Sequence, residues 1–177
     1  DGGAVLFKPW MEAPRRRRAQ IERALQLPHV EEQVDLVFQP IVDLQSGRII
    51  ANEALARWTD DELGEVSPAE FVPVAEQLNV IGKLSDHLME KAFAEAAQWP
   101  SSIRLSFNLS AVQLCAADSA LLILCALKRA QLSTDRLQVE VTETALLRDL
   151  GRVRLLHRRR EPLHVEELLV LDEERRE

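Results

Sequence analysis

A chain of 177 residues with 46% hydrophobic content is long enough to bury the core of one domain. Its formal net charge of −7 excludes a sequence-independent nucleic-acid binder, which needs a basic surface to displace counterions from phosphate. No stretch approaches the roughly 18 consecutive apolar residues that span a bilayer, and no signal-peptide pattern opens the chain, so it reads as cytoplasmic with no membrane segment.

Taken in chain order, residues 1–7 have the form of a short turn and strand, and residues 12–27 carry the Arg/Glu-rich pattern of a surface helix with Ile21 and Leu25 on one side. The run Arg15-Arg16-Arg17-Arg18 within it, like Arg158-Arg159-Arg160 later, is the charge pattern of a solvated helix face. Pro28 ends the helix, and residues 35–44 then alternate as a strand. Ser46-Gly47 makes a turn into a second strand over 48–57, and residues 59–66 read as a polar loop with four acidic side chains. Ser67-Pro68-Ala69-Glu70 has the form of a capping box that starts a helix running to about residue 78.

Residues 84–99 repeat apolar side chains at helical spacing through Leu84, Leu88, Ala92, Phe93 and Ala96, and Pro100 stops them. A strand over 103–109, an apolar helix over 120–130, a strand over 137–141 and an amphipathic helix over 146–160 follow. Strand, helix and strand in repetition predict a parallel sheet with helical crossovers. Cys115 and Cys125 have no CxxC partner and no His at zinc spacing, and their Leu/Ala surroundings predict buried, reduced thiols.

Glu53, Asn108 and Glu140 fall at or beside the carboxyl ends of three predicted strands, where side chains distant in sequence converge in a βα barrel. Oxygen donors of this kind suit Mg²⁺ or Mn²⁺, which activate water and neutralise charge on phosphate. Each residue also has an ordinary role open to it: a strand-end Glu forms surface ion pairs, and Asn108 before Leu-Ser can cap the next helix. Arg57 offers a planar fork of donors for a phosphate or for an ion pair, and Gln39 an amide for a ligand or for nearby backbone.

Four words of sequence bear on that choice: Phe38-Gln-Pro-Ile-Val-Asp-Leu44, Asn52-Glu-Ala-Leu-Ala-Arg-Trp58, Phe107-Asn-Leu-Ser110 and Glu140-Val-Thr-Glu143. In order and spacing they resemble the motifs of the EAL domain family, which hydrolyses cyclic di-GMP to linear pGpG in bacterial signalling. The resemblance implies an α/β fold, a (β/α)8 TIM-like barrel, and roles residue by residue. Glu53, Asn108 and Glu140 match metal ligands for Mg²⁺ or Mn²⁺, Gln39 and Arg57 match residues that hold the dinucleotide, and Glu143 matches the glutamate that anchors a later active-site loop.

The resemblance covers about residues 34 to 150, and from about Arg152 onward none is found. The family's paired-aspartate DDFGxG loop and its strand lysine have no counterpart, since no lysine follows Lys128 and Gly151 is the last glycine. Leu171-Asp172-Glu173-Glu174 reads as a solvated helix end. The expected organisation is therefore residues 1–28 as the end of a preceding GGDEF-like domain or a linker helix, 29–150 as the amino-terminal half of an EAL domain with about four barrel strands, and 151–177 as a divergent charged tail. Such a chain reads as truncated, without complete catalytic machinery, with cyclic di-GMP as partner and a homodimer favoured by its open sheet edges. A non-catalytic cyclic di-GMP-binding or protein-interaction module is the alternative.

Overall fold

The computed structural model describes residues 12–110, 113, 119–141 and 163–164. The expectations for residues 1–7 and 146–160, for Cys115, Glu143 and Arg158-Arg159-Arg160, and for the acidic cluster Leu171-Asp172-Glu173-Glu174 lie outside these residues.

Helix α1 (Ala13–Ala24) opens the described chain, with Pro14 in its first turn, where a missing N–H costs nothing. Its inner side buries Ile21 and the following Leu25, each 2% exposed. The arginine run on its outside is only partly a free face. Arg17 donates to Glu70 Oε1 at 3.2 Å and to the carbonyls of Leu63 and Glu65 at 3.3 Å, and Arg18 pairs with Glu22 and Gln77. Half of the run thus clamps α1 to the elements beneath it. Ile21, Ala24 and Leu25 share one core with Val30, Val34 and Trp58.

Strands β1 (Val34–Val42) and β2 (Ile49–Asp60) follow a 3-10 turn at Val30–Gln33 and pair antiparallel. The turn read at Ser46-Gly47 joins them and is too short for a helical crossover, which is why this pair is antiparallel. Asp43 Oδ1 accepts from both the amide and the hydroxyl of Ser46, and Gly47 takes φ +69°. Residues 59–66 are no loop: β2 runs on to Asp60 and hairpins into β3 (Gly64–Val66). Asp60 Oδ1 there accepts from the amides of Glu62 and Leu63, an Asx-type turn completed by Gly64 at φ +69°.

Ser67 and Glu70 form the capping box read from the sequence, starting α2 (Pro68–Gln77). Helix α3 (Ile81–Ala96) buries Leu84, Leu88, Ala92, Phe93 and Ala96, as their spacing predicts. Strand β4 (Arg104–Leu109), helix α4 (Ser119–Ala130) and strand β5 (Leu137–Val141) follow. Arg136, just before β5, donates to the carbonyls of Ala96 and Ile103 at 2.8 and 2.9 Å, tying the end of α3 to the start of β4. β2, β4 and β5 run parallel, and a short β6 (Leu163–His164) adds antiparallel to β5.

The sheet order is β1-β2-β4-β5-β6, with β3 on β2. The helices cover one face, where Trp58, Phe71, Phe93, Leu105, Phe107, Leu137 and Val139 make the core. The chain therefore folds as part of a TIM-like α/β barrel, with parallel strands and helices on their outside.

One expectation about side chains fails. Cys125 is exposed, because α4 buries the stripe Ala120, Ile123, Ala126 and Leu127 and turns Cys125 outward with Leu121.

Candidate functional site

Along β4 the residues Arg-Leu-Ser-Phe-Asn-Leu alternate, and strand geometry sends alternate side chains to opposite faces. Leu105, Phe107 and Leu109 go into the helix-covered core, and Ser106 and Asn108 to the other face. Gln138 and Glu140 occupy that same second face on β5, since Ser106 pairs with Gln138 and Asn108 with Glu140 in the ladder. On β2 it is Glu53 that pairs with Ser106, and on β1 Gln39 pairs with Glu53. Tertiary structure thus gathers Gln39, Glu53, Asn108 and Glu140, remote in sequence, onto one polar face spanning four strands.

Two diagonal hydrogen bonds order this face. Asn108 Nδ2 donates to Glu53 Oε1 at 2.8 Å, and Ser106 Oγ donates to Glu140 Oε1 at 2.5 Å. β4, the central strand, supplies both donors, one to the carboxylate on each flank. Hydrogen bonds to ionised acceptors are the stronger kind, and these fix which way each carboxylate turns.

Just beyond β4 the polar groups pair with one another. Ser110 Oγ accepts from the Gln113 amide and Gln113 Oε1 accepts from the Ser110 amide, both at 3.3 Å, a reciprocal box that leaves the Asn108 side chain to the sheet.

The strand-end placement holds for Asn108 and Glu140, each one residue before the end of its strand. Glu53 lies mid-strand instead, because β2 continues beyond its parallel neighbour to pair with β3. Arg57 is on the same face but four residues further along β2, about 13 Å at strand rise, and its guanidinium donates to the carbonyl of Ala56 at 2.8 Å. Both Arg57 and Gln39 are exposed. Ser106 and Gln138, 0% and 8% exposed, are the members of this face that the motif reading passed over. The alternation in Leu-Ser-Phe-Asn-Leu was the available signal.

The donor set fits a hard divalent cation. Among the described residues there is no group of three or more His, Cys, Asp or Glu side chains that could hold a metal; the oxygen donors gathered on this face are the two carboxylates Glu53 and Glu140 and the Asn108 amide. With Nδ2 given to Glu53, Asn108 keeps Oδ1 as its remaining polar atom, and an all-oxygen set of this kind suits Mg²⁺ or Mn²⁺ over softer metals.

A cavity of about 220 Å³ lies elsewhere, on the helix side of the sheet, with Ile81, Asp86, Met89, Leu109, Leu122 and Ile123 among its lining residues. None of the candidate site residues Gln39, Glu53, Arg57, Asn108 and Glu140 lines it. Its lining is mainly apolar, and the polar face of the sheet is where the donors converge.

An α/β domain of the TIM-barrel class, with oxygen donors convergent on the inner face of its strands, is what fold and site together define. The family model described as the EAL domain matches residues 18–166, beginning inside α1. The chain belongs to the EAL domain family. A cyclic di-GMP phosphodiesterase of Pseudomonas aeruginosa is 38% identical over 157 residues, covering 86% of this chain and 26% of that protein. The uncharacterized protein y4lL of Sinorhizobium fredii is 36% identical over 148 residues, covering 84% of this chain and 18% of that one. The PaMucR phosphodiesterase in its c-di-GMP complex has a TM-score of 0.71 and 27% identity, over 86% of this chain and 60% of the other. The chain thus spans about a quarter or less of these curated relatives' length. Among the described residues no helix is long and apolar enough to cross a membrane.

Proposed function

We propose that the polar face carries the metal- and dinucleotide-holding part of a cyclic di-GMP phosphodiesterase site, and that this 177-residue chain does not complete the hydrolysis. The single observation that supports this most is the interlocked set Glu53–Asn108 and Ser106–Glu140 on one face of adjacent strands. In this reading Glu53, Asn108 and Glu140 hold Mg²⁺ or Mn²⁺. Gln39, level with Glu53 on β1, and Arg57, further along β2, position the dinucleotide, the guanidinium meeting a phosphate with two parallel donors. A metal held there would supply charge neutralisation at the phosphate and a more acidic water. Glu143 belongs to the same proposal as an anchor for a following loop. Self-association through the edge of β1, which ends the described sheet, belongs to it as well.

The expectation of inactivity rests on the sequence, which offers no paired-aspartate loop and no lysine after Lys128. Incubating the purified chain with cyclic di-GMP and Mn²⁺ and separating products by chromatography is expected to yield no linear pGpG above a protein-free control. Hydrolysis abolished by Glu53→Ala would overturn the proposal.

A non-catalytic binding module is the second reading, favoured by the convergence of Gln39, Glu53 and Asn108 on one face of the sheet and by the cyclic di-GMP found with the PaMucR phosphodiesterase. Calorimetric titration with cyclic di-GMP, with and without Mg²⁺, tests it. Absence of heat together with an unshifted melting temperature removes it.

A further inference from the structure

Ser106 carries none of the family words read from the sequence, yet it touches the site directly. Its side chain is 0% exposed, on the middle strand of three, with Glu53 level with it on one side and Gln138 on the other. Water cannot satisfy a hydroxyl in that position, so it needs a partner from the protein. The partner is Glu140 Oε1, two residues further along β5 than Gln138. Ser106 has no oxygen in the proposed donor set and acts only through the carboxylate that does.

We infer that Ser106 is a positioning residue for Glu140: its hydroxyl fixes the rotation of the carboxylate so that the other oxygen, Oε2, stays available to a divalent cation shared with Asn108 and Glu53. This rests on the metal reading of the face proposed above. Without the hydroxyl, Glu140 keeps its charge and its place on β5 but gains rotational freedom, which binding must then remove. Partners that orient a ligand typically account for a 10–100-fold change in metal affinity.

The test is Mn²⁺ titration of the full chain, following the spin-resonance signal of free Mn²⁺, beside melting curves of the metal-free proteins. Ser106→Ala is expected to weaken Mn²⁺ binding about 10–100-fold with little change in metal-free melting. Ser106→Thr, which restores a hydroxyl on a β-branched frame suited to a strand, is expected to recover most of the loss. Ser106→Cys, near in size but a weak donor, should fall between. In a Glu140→Ala background, Ser106→Ala is expected to add nothing, because the carboxylate it positions is gone. Unchanged affinity in Ser106→Ala, or an equal further loss in the Glu140→Ala background, would overturn the Ser106 assignment while leaving the metal site standing. A failure of the unsubstituted chain to bind Mn²⁺ at all would instead overturn the metal reading itself, and this inference with it.

Discussion

Trp58→Ala is expected to cost about 3–5 kcal/mol of stability, the range for removing a fully buried large aromatic side chain. Trp58 is 1% exposed, its ring meets Phe71 edge-on at 5.5 Å between centroids, and its Nε1 donates to Gln33 Oε1 at 3.3 Å. It is also where β1, β2 and β3 come together, opposite both Val34 and Val66 in the ladders. The substitution therefore leaves a cavity where α2 covers the sheet and removes the donor to Gln33 Oε1 in the turn before β1. Trp58→Phe retains the packing and loses only the N–H and part of the volume, so a smaller loss is expected. Urea unfolding followed by circular dichroism measures both, and a loss in Trp58→Ala below about 1 kcal/mol would show that the core closes around the gap.

Asn108→Asp is expected to make stability depend on pH in a way the parent chain does not share. The substituted oxygen replaces Nδ2, which stands 2.8 Å from Glu53 Oε1. Two carboxylates that close cannot both ionise cheaply, so the folded pair keeps a proton to higher pH than the separated carboxyls of the unfolded chain. The native state then binds more protons than the unfolded one, and stability falls as pH rises. In acid, below about pH 4, both states are protonated and the variant is close to the parent chain. Towards neutral pH it is expected to be about 1–3 kcal/mol less stable, each unit of displacement being about 1.4 kcal/mol. Unfolding curves between about pH 4 and about pH 8 read this out. A pH-independent offset would show that the two side chains do not share the site. On the metal reading, Mn²⁺ restores stability to the variant by a larger increment than it adds to the parent, since it removes a repulsion there.

Much of the local structure was legible in the sequence because its causes are local. The Ser67 and Glu70 capping box forms as read, the helical spacing from Leu84 to Ala96 marks the buried side of α3, and the alternation around Phe107 and Val139 defines β4 and β5. The β2–β3 hairpin was misread for a different reason. An acidic run such as Asp60-Asp61-Glu62 looks like a loop by composition, and only the amides that Asp60 collects, with the pairing of Gly64 to Asp60, make it a strand turn. Cys125 was misplaced because Leu and Ala neighbours in sequence lie all round a helix, and what α3 covers is decided by how α4 packs against it.

For the site, the sequence by itself determined which residues carry oxygen donors and, through four motifs, which family they belong to. It also put Ser106 and Asn108 on a common face, since strand alternation depends on nothing but the backbone. Tertiary structure alone decided that Asn108 turns to Glu53 rather than capping a helix, that Ser106 is the hydroxyl beneath Glu140, and that Arg57 stands apart from both. Those outcomes depend on the register between strands up to 55 residues apart, and register is fixed by how the helix-covered faces of β2, β4 and β5 pack as one core.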